Sequence, residues 1–347
     1  MKRLIYSVLA LAAMAFAFPS CNDDAPEEVQ MTFTASVPGY DMQSRTEGTS
    51  SIGDGSKVDK VKCEVHELIN NEYVKRAQER LTLTTNENGV KTTTYSPTLL
   101  KGRTYAVVFW AYKDGAYTVD DLTNVTRAKI GEQLLCNDDD LDAFAWVAKD
   151  VKAESATTVS VTLKRPLAQL NFGTNDVEAG LKMLETGAQL SGSSITVNAY
   201  SGYNVLTGDV VGNATPTTFH KKETPSGTLK ANNIDYTNHL AMTYLFVGQD
   251  LGSNGTDTQS SYISDCSLTV YYTYTEGEET KEEVVNTTNY SNVNFKQNTR
   301  TNVISNNLLT GTINYTISLD NDFASFDNDN EINGEFPKQD GNGSSSN

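Results

Sequence analysis

Short runs that alternate apolar and polar residues recur along most of the chain, and they leave little choice of architecture. In Met31-Thr-Phe-Thr-Ala-Ser-Val37, an extended backbone puts Met31, Phe33, Ala35 and Val37 on one face and the hydroxyl residues on the other. Val61 to His66 alternates in the same way and turns Cys63 inward. Thr158 to Lys164, Leu167 to Phe172, Ile195 to Tyr200, Met242 to Val247, Ser267 to Tyr274 and Thr312 to Leu319 read as further strands. Thr104 to Tyr112, "TYAVVFWAY", is apolar without a break and predicts a central strand buried on both faces, with "DAFAWVA" (142–148) a shorter version. The expected class is all-β: two tandem β-sandwich domains with one or two short helices. The best helix candidate is Asp176 to Leu190, where Val177, Leu181 and Leu184 recur at helical spacing, Asn175 or Asp176 can cap and Gly187 lies near the end.

The N-terminus reads as a secretory signal. Lys2 and Arg3 precede an apolar run from Leu4 to Phe18, which is too short to span a bilayer. Cys21 stands where cleavage is expected, after Ser20 and before Asn22, Asp23 and Asp24. Phe18-Pro19-Ser20-Cys21 resembles a loose bacterial lipobox, in which the cysteine is acylated, with palmitate among its chains, and becomes the first mature residue. Several acyl chains, each contributing about 0.8 kcal/mol per buried methylene, make a stable anchor. The alternative is an ordinary signal peptide with an incidental cysteine. The expected division is a signal peptide over 1–20, a tether with an N-terminal strand and a flexible segment over 21–57, β-sandwich domains over 58–165 and 166–320, and an acidic flexible tail over 321–347. Arg165-Pro166 marks the inner boundary, because proline ends a strand and redirects the chain.

Charge and motif content exclude several function classes. A net charge of −17 repels nucleic acid and anionic headgroups. Cys63, Cys136 and Cys266 are far apart, so neither a zinc site nor a disulfide framework is expected; one bridge is open to them, and buried free thiols are the favoured reading. His66, His220 and His239 fit no metal or triad spacing and read as solvated. Asp138, Asp139, Asp140 and Asp142 read as a solvated loop rather than a calcium site. "DNDNEINGE" (327–335) fails the EF-hand pattern, which needs glycine and glutamate where Ile332 and Lys338 stand. No catalytic, metal or cofactor residue is expected, and the chain does not read as an enzyme.

Two longer stretches carry a resemblance. "VTLKRPLAQLNF" (161–172) resembles the junction between the two β domains of fimbrillin-type proteins, the subunits of type V pili. "FKQNTRTNVISNNLLTGTINYTISLDNDF" (295–323) is similar to the closing segment of that family. With the lipobox and "SRTEG", the resemblance covers the mature chain in outline.

The resemblance implies two transthyretin-like sandwiches and assembly by strand exchange, one subunit filling a groove in the next. Met31, Phe33, Ala35 and Val37 would form the exchanged strand. Polymerising members of the family are cut after an arginine, which here would be Arg45, with Thr46 as the new N-terminus; anchor-type members are not cut, and Arg45 is otherwise a plain loop residue. The implied role is a structural or accessory subunit of cell-surface fimbriae, held at the outer membrane by its lipid and supporting adhesion, with other subunits as partners. The alternative is a surface lipoprotein that binds a glycan or host protein without catalysis.

Overall fold

The computed structural model describes residues 26–38, 53–305 and 315–320, apart from 88, 185–186, 226–228, 232–233, 237, 249, 252–256 and 259–260. The expected all-β class is what these residues form, with one short α-helix and one 3-10 turn among them.

The apolar run Thr104–Tyr112 is the pivot of the molecule. It lies in a four-stranded antiparallel sheet ordered Phe144–Lys152, Thr104–Tyr112, Lys60–Ile69, Glu72–Thr82. A strand with no polar face needs cover on both sides, and this one has it. Tyr105, Val107, Phe109 and Ala111 enter one core, while Ala106, Val108, Trp110 and Tyr112 enter another.

A second sheet closes the first of these cores. It is ordered Thr157–Thr162, Glu28–Val37, Lys91–Tyr95, Thr84–Thr85, and Thr98–Leu100 pairs with the start of Glu28–Val37. Cys63 and Val65 point inward to meet Phe33, Tyr95 and Val161.

Two more sheets, built mostly from residues beyond Pro166, enclose a separate core. One is ordered Leu134–Leu135, Thr215–Lys222, Gln189–Ala199, Ser261–Glu276, Glu279–Lys296; the other Asn238–Phe246, Leu167–Thr174, Thr299–Ser305, Tyr315–Asp320. Between them lie Leu170, Phe172, Ile195, Phe219, Leu268 and Phe295. The third core joins the two packings. There Trp110 meets Tyr117, Tyr203 and Phe246 at ring distances of 5.3, 5.8 and 6.3 Å. A small sheet ordered Asp209–Val211, Gly202–Asn204, Val125–Arg127, Tyr117–Thr118 covers it. Strand pairing also crosses the Arg165-Pro166 junction, since Leu134–Leu135 runs parallel to Thr215–Lys222 and Cys136 belongs to the second core.

The expected helix and two of the histidine readings need correction. The helix over 176–190 is reduced to Val177–Leu181, capped by Asp176 without a side-chain hydrogen bond. Gln189 and Leu190 pair instead with Thr273 and Tyr272, so cross-strand bonding overrides the local helical pattern. His66 and His239 are not solvated. His66 is buried against Glu64, with Nε2 3.1 Å from the carboxylate. His239 is buried too, and that burial pushes its imidazole down to about 4.

Candidate functional site

The alternating stretch beginning at Met31 occupies the middle of its sheet rather than an edge. Met31 to Ser36 run parallel to Thr157 to Thr162 on one side. Phe33 to Val37 run antiparallel to Tyr95 through Lys91 on the other, and Glu28 to Gln30 pair with Leu100 through Thr98. The alternation then does what the pattern requires. Met31, Phe33, Ala35 and Val37 are all buried, and Phe33 lies 6.0 Å from Phe109 at an interplanar angle of 53°. Burying side chains of this size contributes about 1.5–3 kcal/mol each for Met31, Phe33 and Val37.

The neighbours of this strand come from distant parts of the chain. Thr157–Thr162 has no other sheet partner among the described residues. Without Glu28–Val37, one edge of Thr157–Thr162 and one of Lys91–Tyr95 would face each other across an apolar slot. Unpaired edges of that kind take up another strand: backbone bonds supply affinity and alternate side chains fill the pockets.

The chain is next described at Gly53, where a buried polar clamp holds it. Arg165 donates from Nε to Asp142 Oδ1 at 2.7 Å and from Nη2 to Asp142 Oδ2 at 2.9 Å. Nη2 also donates to the Gly53 carbonyl at 2.7 Å, and the Gly55 amide donates to Asp142 at 3.0 Å. The Gly53 amide donates to Asp139 at 2.8 Å, and Asp139 accepts again from the Tyr244 hydroxyl at 2.8 Å. Gly55 has φ +70 and sits so close to the Phe144 ring that an added Cβ would lie 3.1 Å from it, so this turn takes only glycine without strain. The acidic run therefore does not form a solvated loop. Asp142 is an anchor, and Asp138 pairs with Lys222 at 3.1 Å.

Burial, with Asp142 adding like charge, pushes the Asp139 carboxyl up to about 6 from 3.8. Folding thus favours its protonated form: the stabilisation is complete below about pH 3.8 and is lost as pH rises through about 6. Asp139→Asn keeps an acceptor for Gly53 and Tyr244 but carries no charge. Urea unfolding is expected to show Asp139→Asn gaining about 1–2 kcal/mol on wild type between pH 4 and pH 8.

Cys63, Cys136 and Cys266 are buried free thiols. Desolvation raises all three, Cys136 to about 11 and Cys266 to about 12. In chain beginning at Asn22, none should react with a thiol-specific chromogen in native buffer, and all should react in denaturant.

Cys21, Arg45 and Thr46 lie outside the described residues. Of the residues singled out in the sequence, Met31, Phe33, Ala35 and Val37 are brought together on one face. The Arg165–Asp142 clamp carries no signal in sequence, because its members are separated by intervening strands. On the strand Ser261–Glu276, Tyr272 and Tyr274 share a face, stacked 5.6 Å apart, and both hydroxyls donate to Glu283.

No curated protein matches the chain. Among solved structures, a fimbrial assembly protein from Parabacteroides distasonis is 13% identical, with 85% of this chain and 100% of that chain covered at a TM-score of 0.39. A candidate cell adhesion protein from Bacteroides eggerthii is 10% identical, with coverages of 84% and 96% and a TM-score of 0.42. A candidate polysaccharide-binding protein from Bacteroides thetaiotaomicron is also 10% identical, with coverages of 80% and 91% and a TM-score of 0.38. One family model matches over residues 22–336, and the chain therefore belongs to the family of unknown function DUF6562.

Proposed function

We propose that this chain is a structural or accessory subunit of cell-surface fimbriae of the type V pilus kind, tethered to the outer membrane through acylated Cys21 and assembled by strand exchange. The role is non-catalytic and supports adhesion. One observation carries the reading: Glu28–Val37 is a central strand, paired on both sides over Phe33–Ser36, whose five inward side chains, Val29, Met31, Phe33, Ala35 and Val37, help fill the first core. It is also separable. The proposed processing bond, Arg45-Thr46, falls between Val37, where the strand ends, and Gly53, where the clamp begins. Cutting there would leave the strand held only by sheet bonds and packing, while Arg165 and Asp142 keep hold of the chain downstream. The departing strand would take the lipid with it and open a slot for the corresponding strand of another subunit.

The test uses purified chain beginning at Asn22, treated with a trace of arginine-specific protease. A single new N-terminus at Thr46 with SDS-resistant ladders is the expected result. An uncut chain, or a chain cut at Arg45 that stays monomeric, would count against polymerisation by this route.

A further inference from the structure

Among the described residues two arginines are buried, in very different company. Arg165 is bidentate on Asp142. Arg127, 7% exposed, has no carboxylate partner among the described residues. Its Nη1 donates to the Tyr200 carbonyl at 3.2 Å and its Nη2 to the Tyr244 carbonyl at 3.0 Å. The guanidinium lies 4.1 Å from the Phe246 ring centroid and 5.6 Å from that of Phe219, and its buried Nε has no hydrogen-bond partner. Burial pulls its pKa down, yet a guanidinium stays charged. A buried cation held by neutral carbonyls and rings alone is strongly unfavourable unless an anion comes to it.

Arg127 borders a cavity of about 490 Å³, a size suited to a small ligand. The cavity is formed where Val125–Arg127 and the following loop meet Tyr200, Ser201 and the strand Thr215–Lys222. Lys129 stands exposed at its rim, His220 lines it, and among the described residues Glu132 is the only acid in the wall. A wall richer in cations than in acids is unusual on a chain of net charge −17. The rest of the wall includes Tyr200, Thr126, Ser201, Thr217 and Thr218; Ser201 donates to the Val211 carbonyl at 3.4 Å, Thr217 donates to the Thr215 carbonyl at 2.9 Å and Thr218 pairs with Thr196 at 3.1 Å, which leaves the Ser201 and Thr217 hydroxyl oxygens able to accept.

We infer that this cavity binds a carboxylate-bearing saccharide, its carboxylate drawn to Arg127 and Lys129 and its hydroxyls to the threonines and Ser201. Charge-assisted bonds to arginine supply orientation, and the hydroxyl-lined wall distinguishes a sugar acid from a simple anion. This site is independent of the first strand and stands whether or not that strand exchanges.

The experiment is titration calorimetry of the purified chain with D-galacturonate, D-galactose and acetate. Galacturonate is expected to bind in roughly the millimolar range, with galactose and acetate each about tenfold weaker or worse. Lys129→Glu, an exposed change that leaves the fold alone, should weaken galacturonate about fivefold or more. Arg127→Met should abolish binding; if that variant does not fold, Lys129→Glu decides. Equal binding of galacturonate and galactose, displacement by acetate at the same concentration, no galacturonate binding at about 20 mM, or an unaffected Lys129→Glu variant would each overturn the proposal.

Discussion

Replacing Phe33 with alanine is expected to destabilise the chain by about 3–5 kcal/mol, because the lost ring leaves a cavity that the sheet cannot collapse to fill. Phe33 is fully buried and faces Phe109. Its backbone is fixed on both sides, opposite Val159 in the parallel partner and Tyr95 in the antiparallel one, so the site has little room to relax. Thr34→Ala on the same strand is the control. Its side chain faces away from the core, and a change of less than about 1 kcal/mol is expected. Urea midpoints at constant slope measure both. A Phe33→Ala effect as small as that of Thr34→Ala would mean that the strand does not complete the core. Phe33→Asp goes further, since it buries an unpaired carboxyl and should expel the strand from its slot.

Breaking the clamp should cost about as much. Arg165 is 4% and Asp142 1% exposed at the side chain, so Asp142→Ala leaves a guanidinium buried without its counter-charge, at about 3–5 kcal/mol. Asp142→Leu combined with Arg165→Met removes both charges, and recovery of most of that loss is expected, since a buried pair exceeds an apolar replacement by little. Local effects should accompany the global one. Amide exchange at Gly53 and Gly55 should quicken in Asp142→Ala, because these amides donate to Asp139 and Asp142. A double variant no more stable than Asp142→Ala would show that the carboxylate acts chiefly through the Gly55 turn and not through Arg165.

The parts of this fold that are legible in sequence are the strands with one wet face or none. Alternation places Met31, Phe33, Ala35 and Val37 inward, and the unbroken run at Thr104–Tyr112 announces its two buried faces. Glu72–Thr82 is not legible, because it is an edge strand exposed on both faces and its charges erase the period-two pattern. Glu279–Lys296 hides for the same reason over its first half, where the residues are held by pairing with Ser261–Glu276 and not by burial. Pro216 disguises Thr215–Lys222. The clamp and the Arg127 cavity are illegible for another reason. Their polar groups are ordinary residues of loops and strand ends, and only the folded chain removes Asp142, Arg165 and Arg127 from water.

The central claim is that the first strand is an exchangeable insert in a slot made by the rest of the chain. It is tested most directly by adding a synthetic peptide of residues 26–38 to chain that begins at Thr46, and following amide exchange at Thr157–Thr162 and Lys91–Tyr95. The account predicts that these amides exchange rapidly in the shortened chain, become protected on a stoichiometric complex with the peptide, and stay unprotected with a Phe33→Asp peptide. Full protection without any peptide, or no complex with the native one, would contradict it.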